Sequence, residues 1–349
     1  IRDSFQPDAV QWRWILNSLL LALVVTLICA LVSYPLAYCQ ARLEFGGQAL
    51  LGGLLLLPLV LPPFVGAIGL RRVLARYGSL NLLLEHFGLI DGTSPIDFLG
   101  EHRFLGCVLV MVLHFYPLLY LNLTAAISNI DPSLLESARS LGHSPWRVFR
   151  RVVLPLSTPG LLAGGSLVFI GAFTDLGTPL IFGYQEVVAQ QIFSLANEQT
   201  ANPAGPALVA VVTLLVLVLF FLTRWTLAGY GASGGVKGLS RTVPKRVTGA
   251  GRLAVVALHV LVIALAVLPH LSILLAGLAE RWVWTICPQS YTLSHVREAL
   301  AHPIAQAGVR NSLLYAGLSS LADVLLGLAC AWVIVRRGGL WAVSYTHLT

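Results

Sequence analysis

The stretch "DPSLLESARSLGHSPWRVFRRVVLP", residues 131 to 155, places four arginines, a glutamate and an aspartate between two strongly hydrophobic runs. Asp131 followed by Pro132 reads as a helix start, because the carboxylate accepts from free backbone N–H groups and proline suits the first helical position. Leu134, Leu135, Ala138 and Leu141 then fall on one apolar face at helical spacing, with Glu136, Arg139 and Ser140 elsewhere around the helix. Gly142 ends it. Pro145 permits a second short helix from about Trp146, whose arginines Arg147, Arg150 and Arg151 suit lipid headgroups. Pro155 is expected to close the unit before the next hydrophobic run. Two short helices joined at a glycine make a knob that projects from a membrane.

Composition puts that knob in context. A chain of 349 residues with 57% apolar and 11% charged residues and a mean hydropathy of +0.81 falls in the membrane class. A helix needs about 20 residues to cross the hydrocarbon core. Runs 14–41, 45–70, 104–130, 199–223 and 253–279 contain no Asp, Glu, Lys or Arg, and runs near 160–183 and 309–335 contain one aspartate each. Seven spans are expected, helical because the backbone in lipid must satisfy its own hydrogen bonds and the runs lack barrel-like alternation.

Basic residues favour the cytosolic side. With 131–155 cytosolic, alternation brings Lys237, Arg241, Lys245, Arg246 and Arg252 to the same side, with Arg336 and Arg337. An odd number of spans leaves residue 1 outside. The loop 184–205 opposite has no basic residue, although 71–103 has four arginines. The net charge of +7 is read as topology, and nucleic acid is not expected as a partner. Cys29, Cys39, Cys107, Cys287 and Cys330 offer neither a disulfide framework nor metal-ligand spacing.

A shift of 294 residues lays "NSLLLALVVTLICALVSYPLAYCQAR" (17–42) over "NSLLYAGLSSLADVLLGLACAWVIVR" (311–336), with the Asn, Ser, Leu pair and final Arg coinciding. Two repeats are implied: a first over 1–228, a basic linker over 229–252 and the start of a second over 253–342. Only the second copy is preceded by a further span, so the first repeat is expected to lack its opening helix and the second its later ones, as in a fragment of a protein with twice six helices. The polar tail "VSYTHLT" (343–349) resembles translated adapter DNA and is set aside as non-native.

The opening stretch resembles the coupling loop of ABC importer permeases: Glu-Ala-Ala, three residues, Gly, nine residues, Ile, one residue, Leu-Pro. Here it stands as Glu136-Ser137-Ala138, Gly142, Val152 and Leu154-Pro155, with serine and valine as substitutions at intact spacing. The resemblance implies an all-α, polytopic bundle of the type I (MetI-like) importer permease fold in a bacterial inner membrane. It also implies two separate ATPase subunits that grip the loop, a periplasmic substrate-binding protein, and no cofactor on this chain. "LLLLPLVLPPFVGAIGL" (54–70), "RYGSLN" (76–81) and "FTDLGTPLIF" (173–182) resemble double-length permeases for ferric iron and for 2-aminoethylphosphonate, leaning toward the phosphonate branch.

Other residues carry candidate roles. Pro58, Pro62 and Pro63 interrupt a span, where broken backbone lines a gate or merely kinks for packing. Asp175, an acid within the run 160–183, either faces the pathway or bonds freed N–H groups near Gly177 and Pro179. The loop 71–103, with "NLLLEHFGL" (81–89), Asp91, Asp97 and Glu101, is a docking surface or an ordinary solvated loop. No phosphate-binding loop ending in Lys-Ser or Lys-Thr occurs, and the only lysines are Lys237 and Lys245, so the chain is read as non-catalytic and ATP hydrolysis is assigned to a partner. An ion-coupled secondary transporter using Asp175 and Asp323 is the alternative, though it leaves the charged knob without a purpose.

Overall fold

The computed structural model describes residues 9–99, 103–197, 204–231 and 245–336. Lys237 and Arg241 of the linker, Glu101 and the tail 343–349 lie outside the described residues. Helix α1 (Ala9–Arg42) is followed by the short strand β1 (Leu43–Glu44), α2 (Gln48–Leu54), α3 (Pro63–Leu74), α4 (Ser79–His86) and α5 (Arg103–Ser128). Next come α6 (Pro132–Ser140), α7 (Pro145–Val148), α8 (Leu154–Thr174), α9 (Gly177–Phe182), α10 (Val188–Ala196) and α11 (Ala204–Gly231). Strand β2 (Lys245–Arg246) and α12 (Gly249–Leu278) follow; the larger unit takes α12 as far as Ala276, together with Trp282–Pro288.

Six helices are long and apolar enough to cross a membrane, and one bent pair adds a seventh crossing if counted as a single span. That pair corrects the expected straight span 45–70. Gln48–Leu59 and Pro63–His86 meet at 93°, because Pro62 and Pro63 have no N–H to continue the helical ladder, whereas Pro63 fits the first position of a new helix. The run 160–183 is corrected too: its helix stops at Thr174, and α9 starts separately at Gly177.

The core is built from α1, α5 and α8. Leu21, Val25, Cys29 and Leu36 of α1 are buried with Met111, Tyr116, Leu119 and Leu123 of α5 and Val168, Ala172 and Phe173 of α8. On the other side of α1, Leu16, Leu20, Leu23, Leu27 and Leu31 form an exposed stripe at helical spacing, as a helix bordered by lipid requires. Two hydrogen bonds cross the interior: Ser33 Oγ donates to the Tyr116 carbonyl at 2.8 Å, and the Tyr116 hydroxyl donates to the Leu55 carbonyl at 2.8 Å. This holds α1, α5 and the end of α2 in one register.

Lipid tails are as apolar as leucine, so helices in membranes associate through close packing of small residues rather than through the hydrophobic effect. Gly160 and Gly164 supply it on α8. A Cβ on Gly164 would lie 2.6 Å from Leu119 Cδ1 and 3.0 Å from Leu119 Cα; one on Gly160 would lie 2.7 Å from the Asn122 carbonyl oxygen. Gly164→Leu is therefore expected to push α8 off α5, lowering the melting temperature in detergent by several degrees, about the shift of a 1–3 kcal/mol overpacking penalty. A melt unchanged from the parent would show that this contact does not hold the core.

Among the described residues, the smaller unit contains Gly277–Arg281 and 289–336. Within it β3 (Ala279–Arg281) pairs antiparallel with β4 (Ser290–Tyr291), followed by α13 (Ser294–Ala301) and α14 (Pro303–Arg336). Helices α1 and α14 are both 34 residues long, and both their first and last residues are separated by the same 294 positions that align the two sequences.

Candidate functional site

The knob at 131–155 is a helix, a glycine elbow and a second helix, each end satisfied locally. The Asp131 side chain accepts from the Ser133 N–H at 2.9 Å and starts α6. At the other end Gly142 adopts φ +77, with its N–H donating to the Arg139 carbonyl and the His143 N–H to that of Ala138. This is the Schellman arrangement, which needs a left-handed residue just past the helix and so favours glycine. Ser144 Oγ then accepts from the Arg147 N–H and starts α7.

The second helix departs from expectation. Pro155 does not close the knob; helical structure continues from Pro145 to Thr174. A proline in a helix lacks a donor and crowds the carbonyl four residues back. The backbone answers with a π turn over Phe149–Val153, in which the Leu154 N–H reaches the Phe149 carbonyl five residues back. The helix widens instead of breaking, so the distal half of the knob and the following span form one element.

The expected apolar face also divides. Leu135 is buried with Val148 and Val153 in the main core, and Ala138, Val152 and Leu154 are half-buried. Leu134 and Leu141 point outward at 48% and 77% exposure, joined by Trp146 at 68%. Glu136, Ser137, Gly142 and Pro155 are exposed. Leu135 lies about 100° around the helix from Leu134, so only one of the neighbouring leucines can meet the bundle. The result is an anchored base and an apolar tip bearing a carboxylate.

Ring contacts and hydrogen bonds fix that base to α1. Phe149 packs edge-on against Tyr34 at 5.2 Å and Tyr38 at 6.5 Å while stacking on Trp146 at 5.3 Å. The Tyr34 hydroxyl hydrogen-bonds the Ser157 hydroxyl on α8. Arg42, only 7% exposed, donates from Nη2 to the carbonyls of Ile127 and Ile130 at 2.7 Å each. These carbonyls lie at the C-terminal end of α5, which attracts positive charge, immediately before the knob. Sequence reasoning did not assign Arg42 a role, although it ends a charge-free run and recurs as Arg336 in the second copy. Beside it, β1 pairs with β2 in parallel, Leu43 opposite Lys245, so the last residues of the linker join the same end of the bundle.

The profile of the family described as "Binding-protein-dependent transport system inner membrane component" matches residues 16–228, which include the whole knob. The chain belongs to this family. It is thus the permease component of an ABC importer, with an all-α membrane fold. The spermidine/putrescine permease protein PotB of Escherichia coli K12 is 34% identical over 225 residues, covering 62% of this chain and 80% of that protein. The molybdenum permease protein ModB of Haemophilus influenzae is 31% identical over 220 residues, covering 60% and 92%. The ferric permease protein FbpB of Actinobacillus pleuropneumoniae is 26% identical over 332 residues, 93% of this chain and 47% of that protein, so this chain spans about half its length. Among solved structures, a bacterial alginate ABC transporter in complex with alginate pentasaccharide-bound periplasmic protein matches with a TM-score of 0.54 at 19% identity over 67% of this chain and 83% of the other, a likeness of fold.

The remaining candidate residues of this permease lie away from the knob. Pro58 is buried in the 3₁₀ turn Leu57–Leu59, and Pro62 and Pro63 form the corner that starts α3. Asp175 is not in mid-helix: it follows the last residue of α8, and its carboxylate accepts from the N–H groups of Gly177 at 3.1 Å and Thr178 at 3.3 Å. A Cβ on Gly177 would lie 2.7 Å from Phe64 Cβ, so the Asp175 turn and the proline corner are packed against one another. In the loop 71–103, Asn81 is buried and holds the carbonyls of Ala75, Arg76 and Ile96. Among the described residues, no three His, Cys, Asp or Glu side chains gather as metal ligands.

Proposed function

We propose that this permease couples ATP hydrolysis by two separate ATPase subunits to the import of a small solute delivered by a periplasmic binding protein, and that Glu136, Ser137, Ala138, Gly142, Val152, Leu154 and Pro155 form the ATPase-coupling loop. The observation that carries the reading is the knob with its base clamped to α1 and α5 and its apolar, carboxylate-bearing tip in the open. Leu134, Leu141 and Trp146 suit a groove on a partner, and Glu136 a basic residue beside it. ATP belongs to the partner, and no cofactor is assigned to this chain. The prolines and the Asp175 turn are assigned to the pathway gate. The membrane is the bacterial inner membrane, with the knob cytosolic and the loop 71–103 outside.

Ferric iron is the favoured cargo. The similarity to the ferric permease protein runs through both repeats and the linker, whereas the polyamine and molybdenum relatives cover about three-fifths of the chain. 2-Aminoethylphosphonate, toward which residues 66–81 and 173–180 lean, is the second candidate. The test is uptake into proteoliposomes containing the full-length permease with the ATPase and binding protein encoded beside it, offered each solute with ATP inside. ATP-dependent accumulation of iron is expected. Accumulation driven by an ion gradient without ATP would establish the secondary-transporter reading instead, and ATP-dependent uptake of the phosphonate alone would reassign the cargo.

A further inference from the structure

At the end of the bundle opposite the knob, the last turn of α3, the start of α4 and the segment after α12 enclose a recess of about 190 Å³ lined by Arg72, Tyr77, Ser79, Trp282, Trp284 and Thr285. Two ring contacts hold it open. The Arg72 guanidinium lies over the Trp282 ring, 4.4 Å from its centroid, and donates from Nη2 to the Trp282 carbonyl at 2.8 Å. Tyr77 and Trp284 stack at 5.1 Å with their planes 8° apart. Trp282 Nε1 donates to the Thr285 carbonyl at 3.0 Å and closes the turn.

Three features of this recess go beyond packing. Trp284 has φ +59, the sole positive φ outside glycine among the described residues, a conformation unfavourable for a bulky side chain and typical of ligand clamps. The strained turn leaves Trp284 70% exposed, so the strain is not repaid by burial. The Thr285 hydroxyl is buried and has no partner among the described residues, a state that buried polar groups avoid unless something unseen completes them. Arg72, finally, has no carboxylate within ion-pairing distance among the described residues, where Arg13 and Glu186 form the one ion pair.

We propose that this recess binds a small oxyanion, of the phosphate, phosphonate or carboxylate kind. A guanidinium stacked flat on an indole keeps its edge for hydrogen bonding, and only one of its five N–H donors is committed to Trp282. Such an edge matches two oxygens of an oxyanion at once. The Thr285 hydroxyl supplies a further donor, and the Tyr77 and Ser79 hydroxyls complete a polar lining. Positive charge excludes a metal cation, and the volume leaves room for the ion with a few waters, each of about 30 Å³. The site is independent of which solute is transported and of the knob, so its test involves no transport.

The test uses the full chain in a phosphorus-free maltoside detergent, with inorganic phosphate as the probe and its ³¹P line width as the readout. Saturable broadening is expected for the parent protein. Arg72→Gln should weaken binding at least about tenfold through loss of the bidentate charged donor, and Arg72→Lys should be intermediate. Thr285→Val removes only a hydroxyl and should weaken binding about threefold at an unchanged melting temperature, which separates ligation from folding. The proposal is overturned if the parent shows no saturable broadening, or if Arg72→Gln binds phosphate as the parent does. It is equally overturned if phosphate is ignored while Arg72→Gln impairs docking of the binding protein, which would make the recess a protein contact.

Discussion

ATP-driven uptake is expected to be lost in a permease carrying Glu136→Lys, while the protein inserts and melts as the parent does. Glu136 is exposed and lies outside the core, and surface substitutions of this kind usually change stability by less than about 0.5 kcal/mol. In the coupling proposed above the same carboxylate would be buried against a basic groove of the ATPase, where removing one partner of a hydrogen-bonded charge pair costs roughly 2–5 kcal/mol. Reversing its sign adds repulsion. Association with the ATPase should weaken by at least about thirtyfold, the equivalent of the lower end of that range. Gly142→Pro should do the same by another route, because proline fixes φ near −65° where the elbow needs +77. Gly142→Ala is the control: no atom lies within 4 Å of its Cβ, so it meets only the backbone penalty and should retain partial uptake. Normal uptake by both Glu136→Lys and Gly142→Pro would remove the knob from the coupling mechanism.

The second large effect is expected at Arg42. Arg42→Ala leaves the Ile127 and Ile130 carbonyls without their donor in a buried setting, a loss of about 1.5–3 kcal/mol per charged hydrogen bond. The permease should melt at a lower temperature. Its distinctive signature should be functional: in the assembled transporter, ATP hydrolysis continues while transport per ATP falls at least about fivefold, the equivalent of 1 kcal/mol of lost coupling. Arg42→Lys keeps the charge near the end of α5 but cannot make both 2.7 Å contacts from one planar group, and should fall between. If Arg42→Ala lowered stability while the ratio of solute moved to ATP consumed stayed at the parent value, the residue would be structural only.

Much of this was legible in the sequence, for identifiable reasons. The elbow could be read because its signals are local: Asp131-Pro132 caps one helix, Gly142 ends it, and Pro145 begins the next. The spans were legible because lipid excludes charge over about 20 residues. What failed depended on neighbours or on accumulated backbone strain. One proline looks much like another in sequence, yet Pro62-Pro63 turns the chain through 93° whereas Pro155 is absorbed by a widened helix. Asp175 was read within a run of apolar residues, but hydropathy cannot show that the helix has ended one residue earlier. The Gly160 and Gly164 contacts were invisible because they matter only once α5 lies across them. Arg42 was visible as a charge, though nothing in the chain could show that its partners are backbone carbonyls some 85 residues away.

The π turn at Phe149–Val153 has a mechanical corollary. Because the helical path is continuous from Pro145 to Thr174, the outer half of the elbow has no swivel between itself and its transmembrane shaft. In the coupling proposed above, torque applied at Trp146 would be delivered, as through a crank, to the far end of that shaft, where the Asp175 turn leans on the proline corner.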